Sequence, residues 1–147
     1  MPTRPDFAPP EHAYLYPITV VASDIDELGH ANNVVWVRWI NEAAIAQSRS
    51  VGLDHEMYLR MHVIWVVRRH DIEYLSPALE GESLEALTWV ADLRGATSRR
   101  RTVIRRDGRL LSRAETTWAL VDTDTQKPRR IPEEMLARYG FSSRAGG

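Results

Sequence analysis

Ser23 to Ala44 reads SDIDELGHANNVVWVRWINEAA, and its two halves behave differently. From Val34 to about Ser50 the residues Val35, Trp36, Trp39, Ile40, Ala43, Ala44 and Gln47 recur at 3, 4 and 7. That spacing puts them on one face of a helix, and Val34 and Val37 widen the apolar stripe. Asn32 or Asn33 can cap its start, and Gly52 stands where a left-handed residue ends a helix. So broad a stripe needs cover on much of its circumference, which a sheet curled around the helix would supply.

Strand patterns flank that helix. Tyr14 to Ala22, YLYPITVVA, is rich in aromatic and β-branched residues and reads as a strand. Downstream, His62 to Leu75, Glu82 to Leu93, Thr97 to Arg106 and Arg109 to Val121 read as four more. Ser76-Pro77 ends the first of these, and Asp107-Gly108 is a two-residue hairpin signal between the last two. In the last strand, alternation puts Leu110, Ala114, Trp118 and Leu120 on one face. Pro132 opens a short terminal helix, PEEMLARY, with Glu133 and Glu134 in its first turn. One helix set among antiparallel strands is an α+β layer architecture.

The 147 residues suit one domain. Residues 14–140 are expected to form it, with flexible ends at 1–13 and 141–147. Formal net charge is −1, which provides no electrostatic reason to expect nucleic acid as a partner. The chain has no cysteine, which excludes a disulfide frame, a thiolate metal site and a thiol nucleophile. Its five histidines lack metal-ligand spacing, so no metal is expected. No apolar run is long enough to span a bilayer and the start, MPTRPDFAPP, has no apolar core, so a cytoplasmic location is expected.

The polar stretch before the helix carries the chemistry. Asp24, Asp26, His30, Asn32 and Asn33 crowd in front of a helix N-terminus, which offers free N–H groups and about half a positive charge. A carbonyl aimed there would be polarised, and a carboxylate facing the same point could attack it or deprotonate water. Asp24 suits a structural role, bonding backbone amides, and Glu42, inside the apolar helix, suits a bonded or interface position.

The pattern Asp24-Ile25-Asp26, then Gly29-His30-Ala31-Asn32-Asn33 and an aromatic-rich helix, resembles the 4-hydroxybenzoyl-CoA thioesterase family of hotdog folds. It is also similar to the D-x-N-x-H-x-N-N segment of plastid acyl-carrier-protein thioesterases. The likeness continues through DIEYLSPALEGESLEA at Asp71 to Ala86, the hairpin Ser98 to Asp122 and the exit PRRIP at Pro128 to Pro132. It implies a single hotdog domain, an antiparallel sheet of about five strands wrapped around one long helix. It also implies hydrolysis of an acyl-CoA or acyl-carrier-protein thioester without a cofactor.

On the same resemblance, Asp26 matches the catalytic carboxylate, as nucleophile or general base. Asn33 matches the position whose backbone N–H polarises the carbonyl, and His30 the histidine of the carrier-protein branch. Leu28 stands where that branch has an asparagine, so an Asp-centred mechanism is favoured. Asn32 and Trp36 are candidates for substrate contact. Hotdog proteins of this size pair through edge strands with the active site at the subunit boundary, so a homodimer or a dimer of dimers (a homotetramer) is expected.

The basic run Arg99-Arg100-Arg101 and Arg105-Arg106 divides by strand alternation, with Arg99, Arg101 and Arg105 on one face and Arg100 and Arg106 on the other. It reads as a solvated strand face or, through Arg99 and Arg101, as a clamp for CoA phosphates. Two other functions share the fold: an acyl-CoA-binding module without turnover, and a hydratase or dehydratase acting on the same thioesters.

Overall fold

The computed structural model describes residues 6–141. The outermost parts of the expected flexible ends, 1–5 and 142–147, lie outside the described residues. The elements run β1 (Tyr14–Thr19), α1 (Asn33–Ser50), α2 (His55–Met61), β2 (Val63–Tyr74), β3 (Ser83–Arg94), β4 (Thr97–Arg106), β5 (Arg109–Asp122) and α3 (Glu133–Arg138). The strands form one antiparallel sheet in the order β1-β3-β4-β5-β2. This is the α+β hotdog arrangement, with α1 lying along the concave face of the sheet.

The apolar stripe of α1 is what the sheet covers. Val35, Trp36, Trp39, Ile40, Ala43, Ala44 and Gln47 are all buried. Val35, Trp36, Trp39, Ile40 and Ala43 share a core with Ile18, Leu84, Ala86, Ile104, Leu111 and Ala114 from the strands. A second cluster, built on Leu53, Leu93, Leu120, Ile131 and Met135, fills the end where α1 stops and α2 and α3 dock. Leu87, Trp89 and Val103 form a third cluster on the convex face, where Phe7 and Ala13 pack over them. Residues 6–13 thus lie against the sheet. With both its faces covered, β3 is buried on alternate residues of either parity, Leu84, Ala86 and Thr88 inward and Leu87 and Trp89 outward.

Several sequence expectations need correction. The first strand stops at Thr19, and Ala22–Asp24 is a 3₁₀ turn whose tighter winding ends the pairing with β3. Val34 does not widen the covered stripe: it is 74% exposed at the helix mouth, where the sheet does not reach. His62 is no strand residue but the left-handed end of α2, with φ +57°. That helix was not foreseen. Leu110 joins the convex cluster while Leu111 faces α1, because Ile104 pairs with Ser112 and Arg105 with Leu110, a one-residue bulge that swaps faces. The Asp107-Gly108 hairpin forms as read, with φ +49° and +80°, both positive as a type I′ turn requires.

Candidate functional site

The stretch before α1 is a small hairpin of its own. Ile25 and Ala31 pair across it, the Asp26 N–H donates to the His30 carbonyl at 2.9 Å, and the Gly29 N–H donates to the Asp26 carbonyl at 3.0 Å. Gly29 closes the turn at φ +80°, a conformation that L side chains adopt only with strain. The Asp26 Oδ1 accepts the Leu28 N–H at 2.9 Å, so the loop holds its own carboxylate. Asp26 is half-buried, and among the described residues nothing donates to its Oδ2.

Asp24 anchors this hairpin. Its carboxylate is only 1% exposed; Oδ2 accepts the Val21 N–H at 3.0 Å and Oδ1 accepts Arg38 Nη2 at 2.8 Å. The Asp24 carbonyl also accepts the Asn32 N–H at 2.9 Å, and the Ala31 N–H reaches the Ala78 carbonyl at 2.9 Å. The structural role read for Asp24 is the one observed. With Asp24 opposite Asn32, Asp26 lies two residues, about 7 Å, along the same hairpin arm from the helix start. Arg38 also meets Glu42 at 3.3 Å, and Glu42 accepts the Tyr16 hydroxyl at 3.0 Å. Burial, and then that bond to Glu42, hold the Tyr16 phenol above its ordinary pKa.

At the mouth of α1, Asn32 is the cap, and its Oδ1 accepts the Val34 N–H at 3.0 Å. Val35 donates to the Asn32 carbonyl at 2.9 Å. Among the described residues nothing accepts from the Asn33 N–H, which leaves one donor at the positive end of an 18-residue helix. A free N–H and a free carboxylate oxygen therefore stand on one braced segment, bordered by exposed Leu28, Val34 and Tyr74. Chemically, the pair can polarise a carbonyl and deliver a nucleophile or base to it.

The other sequence candidates are placed as follows. His30 is on the same hairpin, exposed. Trp36 is 2% exposed and packs edge-on against Trp39 and Tyr74, so within one chain it is a core residue. Arg99 and Arg101 project from the face of β4 away from α1. Arg99 pairs with Asp92 at 3.2 Å; Arg101 pairs with Glu115 at 3.1 Å and sits by the Phe7 ring. The structure thus brings Asp26, His30, Asn32 and Asn33 together and leaves Trp36, Arg99 and Arg101 apart from them.

Sequence reading passed over Arg38, whose partner is 14 residues away with no local signal, and Tyr74, whose hydroxyl lies 3.4 Å from the Asn33 carbonyl. It also left Arg100 as one member of a basic run. Two cavities lie elsewhere, one at the C-terminal end of α1 and one between residues 6–12 and α3; neither is lined by Asp26 or Asn33. Among the described residues no group of three His, Cys, Asp or Glu side chains could hold a metal ion. No helix among them is long and apolar enough to cross a membrane.

The chain is similar to known proteins over most of its length. It is 26% identical to the acyl-CoA thioester hydrolase YbgC of Escherichia coli O6:H1 over 130 residues, covering 86% of this chain and 95% of that one. It is 30% identical over 106 residues to the chloroplastic acyl-[acyl-carrier-protein] hydrolase FATB2 of Cuphea viscosissima, but spans only 25% of that longer protein. Among solved structures, the 1,4-dihydroxy-2-naphthoyl-CoA thioesterase Slr0204 from Synechocystis superposes with a TM-score of 0.79 at 17% identity, covering 86% of this chain and 95% of that one. The protein SAV2348 from Staphylococcus aureus, solved in complex with CoA, superposes with 0.82 at 16% identity over 86% and 81%. Those two likenesses show the fold. The family model described as the acyl-ACP thioesterase N-terminal domain matches residues 11–139, and this chain belongs to that family.

Proposed function

We propose that this protein hydrolyses acyl thioesters, of CoA or of acyl carrier protein, to a free acid and a thiol. The observation that supports this most is the pairing of an unengaged Asn33 N–H with an unengaged Asp26 Oδ2 on one braced hairpin. In this reading the thioester carbonyl points at the Asn33 N–H, and Asp26 attacks its carbon or takes a proton from the attacking water. His30, exposed on the same hairpin, assists from the rim, Asn32 borders the substrate, and Trp36, buried, backs Tyr74 rather than touching the substrate. The relatives named as acyl-CoA and acyl-carrier-protein thioester hydrolases favour this chemistry over the other chemistries of the fold.

In this reading the working unit is a pair of copies joined along β2. Of the two edge strands, β1 is six residues long and carries Pro17, which blunts it. β2 is 12 residues long, free of proline, and shows Ile64 at 50% and Val66 at 37% exposure. Antiparallel pairing of two β2 strands sets the Ile64 end of one copy beside the Tyr74 end of the other. The exposed apolar rim around Asp26 then gains a cover. Arg99 and Arg101, already paired with acids on the convex face, would reach CoA phosphates only beyond that boundary.

The test is thiol release from a panel of short, long and aromatic acyl-CoAs and one acyl-carrier protein. Turnover of any of them supports the reading. Tight binding without thiol release would replace it with a binding module, and a change in double-bond absorbance without thiol release would replace it with a hydratase.

A further inference from the structure

Arg100 is the least expected residue of the fold. It leaves β4 on the α1 side and is 4% exposed. Its Nη1 donates to Gln47 Oε1 and, at 3.1 Å, to Thr88 Oγ1. The phenols of Tyr139 and Tyr58 stand beside it, and no carboxylate of the described residues pairs with it. Burial lowers its pKa. Burial also pushes the Tyr58 phenol up to about 12, so neither it nor the amide and hydroxyl partners bring a negative charge. The carbonyls ending α1 offset about half a charge at most. A cation withdrawn from water without a counter-charge is a costly arrangement, since buried charges are ordinarily paired.

Beside Arg100 is a half-open cavity of about 300 Å³. Ile45, Leu53, Trp65 and Trp118 are among the residues of its apolar wall. The buried indole N–H of Trp118 has no acceptor among the described residues. Nη1 uses two of the five guanidinium donors, which leaves donors for a ligand as well as for Tyr139. The volume is at the lower end of the range for small-molecule pockets, whose walls are mostly apolar with a few polar groups. Arg49, Asp54 and His55 also line it; Asp54 is engaged as the cap of α2, accepting the Met57 N–H, and of these charged side chains only Arg100 is buried.

We propose that this cavity binds an amphiphilic carboxylate, whose apolar body lies against Trp65 and Trp118 and whose carboxylate pairs with Arg100. The carboxylate has two sources that share this chemistry: a free alkanoic acid, or the far end of an acyl group that carries a second acid. The free-acid source stands on the cavity alone; the acyl source rests on the proposed thioester hydrolysis.

Calorimetry on the full chain with octanoate and with 1-octanol tests it. Octanoate should bind at least about ten-fold more tightly, the size of a charge-assisted hydrogen bond. Arg100→Met should weaken octanoate about ten-fold or more while octanol holds or improves. That contrast in the unsubstituted protein is decisive even if the variant does not fold. Equal binding of acid and alcohol, or binding of neither, overturns the proposal, as does a folded Arg100→Met protein that retains the preference. Turnover of adipoyl-CoA against hexanoyl-CoA then separates the sources. A preference for adipoyl-CoA that Arg100→Met abolishes upholds the pocket as the end of the acyl site; octanoate binding without that preference upholds it as a free-acid site.

Discussion

Asp24 and Arg38 form an ion pair at 2.8 Å in which the acid is 1% exposed and the guanidinium side chain 51% exposed. The buried partner needs the bond, since without it a carboxylate would lie in the core with one backbone N–H for company. The same Asp24 holds the start of the hairpin that carries Asp26, so this pair braces the candidate site from behind.

Removing that brace should be costly. Asp24→Ala leaves the Val21 N–H unsatisfied and frees the hairpin from α1, an expected loss of about 2–4 kcal/mol in urea unfolding. A loss below about 0.5 kcal/mol would mean the pair contributes no more than a surface contact.

Asp26→Asn separates chemistry from folding. The amide oxygen can still accept the Leu28 N–H, so the turn and the melting temperature should be kept. Thiol release should fall by about 10² or more, the usual cost of losing a general base or nucleophile. Undiminished turnover in the folded variant would remove Asp26 from the mechanism.

If β2 is the self-pairing edge, a lysine there should open it. Val66→Lys places two like charges along the seam, as edge strands do to avoid pairing. Sedimentation should show a dimer for the parent chain and a monomer for the variant, with thiol release falling in step. A variant that stays dimeric would move the interface elsewhere.

His70 on β2 makes stability depend on pH. Its Nδ1 lies 2.9 Å from Thr116 Oγ1, and burial lowers its pKa. The unfolded chain, with an ordinary value of about 6.5, therefore binds more protons in the intervening window. The contribution of His70 is complete above about pH 6.5 and is lost as pH falls through the lower folded value. Comparing urea midpoints at about pH 7.5 and about pH 5, His70→Gln should show a smaller drop than the parent. An equal drop in both would assign the pH dependence to other groups.

Much of the fold was legible because it rests on local periodicity. The stripe on α1, the Asn32 cap and the Asp107-Gly108 turn each depend on residues a few positions apart. Helix α2 escaped notice although Asp54 caps it, accepting the Met57 N–H at 2.9 Å, because seven residues with none fully buried leave no apolar stripe to read. The bulges at Leu111 and Ala91 escaped as well, since alternation counted along one strand carries no record of where its partner skips a residue. The basic run around Arg100 shows the same limit from another side. Alternation separated Arg100 from Arg99 and Arg101 correctly, yet nothing in the run marked which face α1 would cover.

The sequence by itself named the candidates for the chemistry, because a helix that starts at Asn33 with Asp26 shortly before it is written within one short stretch. Tertiary structure alone decided which polar groups stand satisfied and which stand free. Arg38 was brought to Asp24 from 14 residues away, and Gln47 to Arg100 from 53. Those meetings depend on how α1 settles on the sheet, a matter of packing between distant segments that no local pattern encodes.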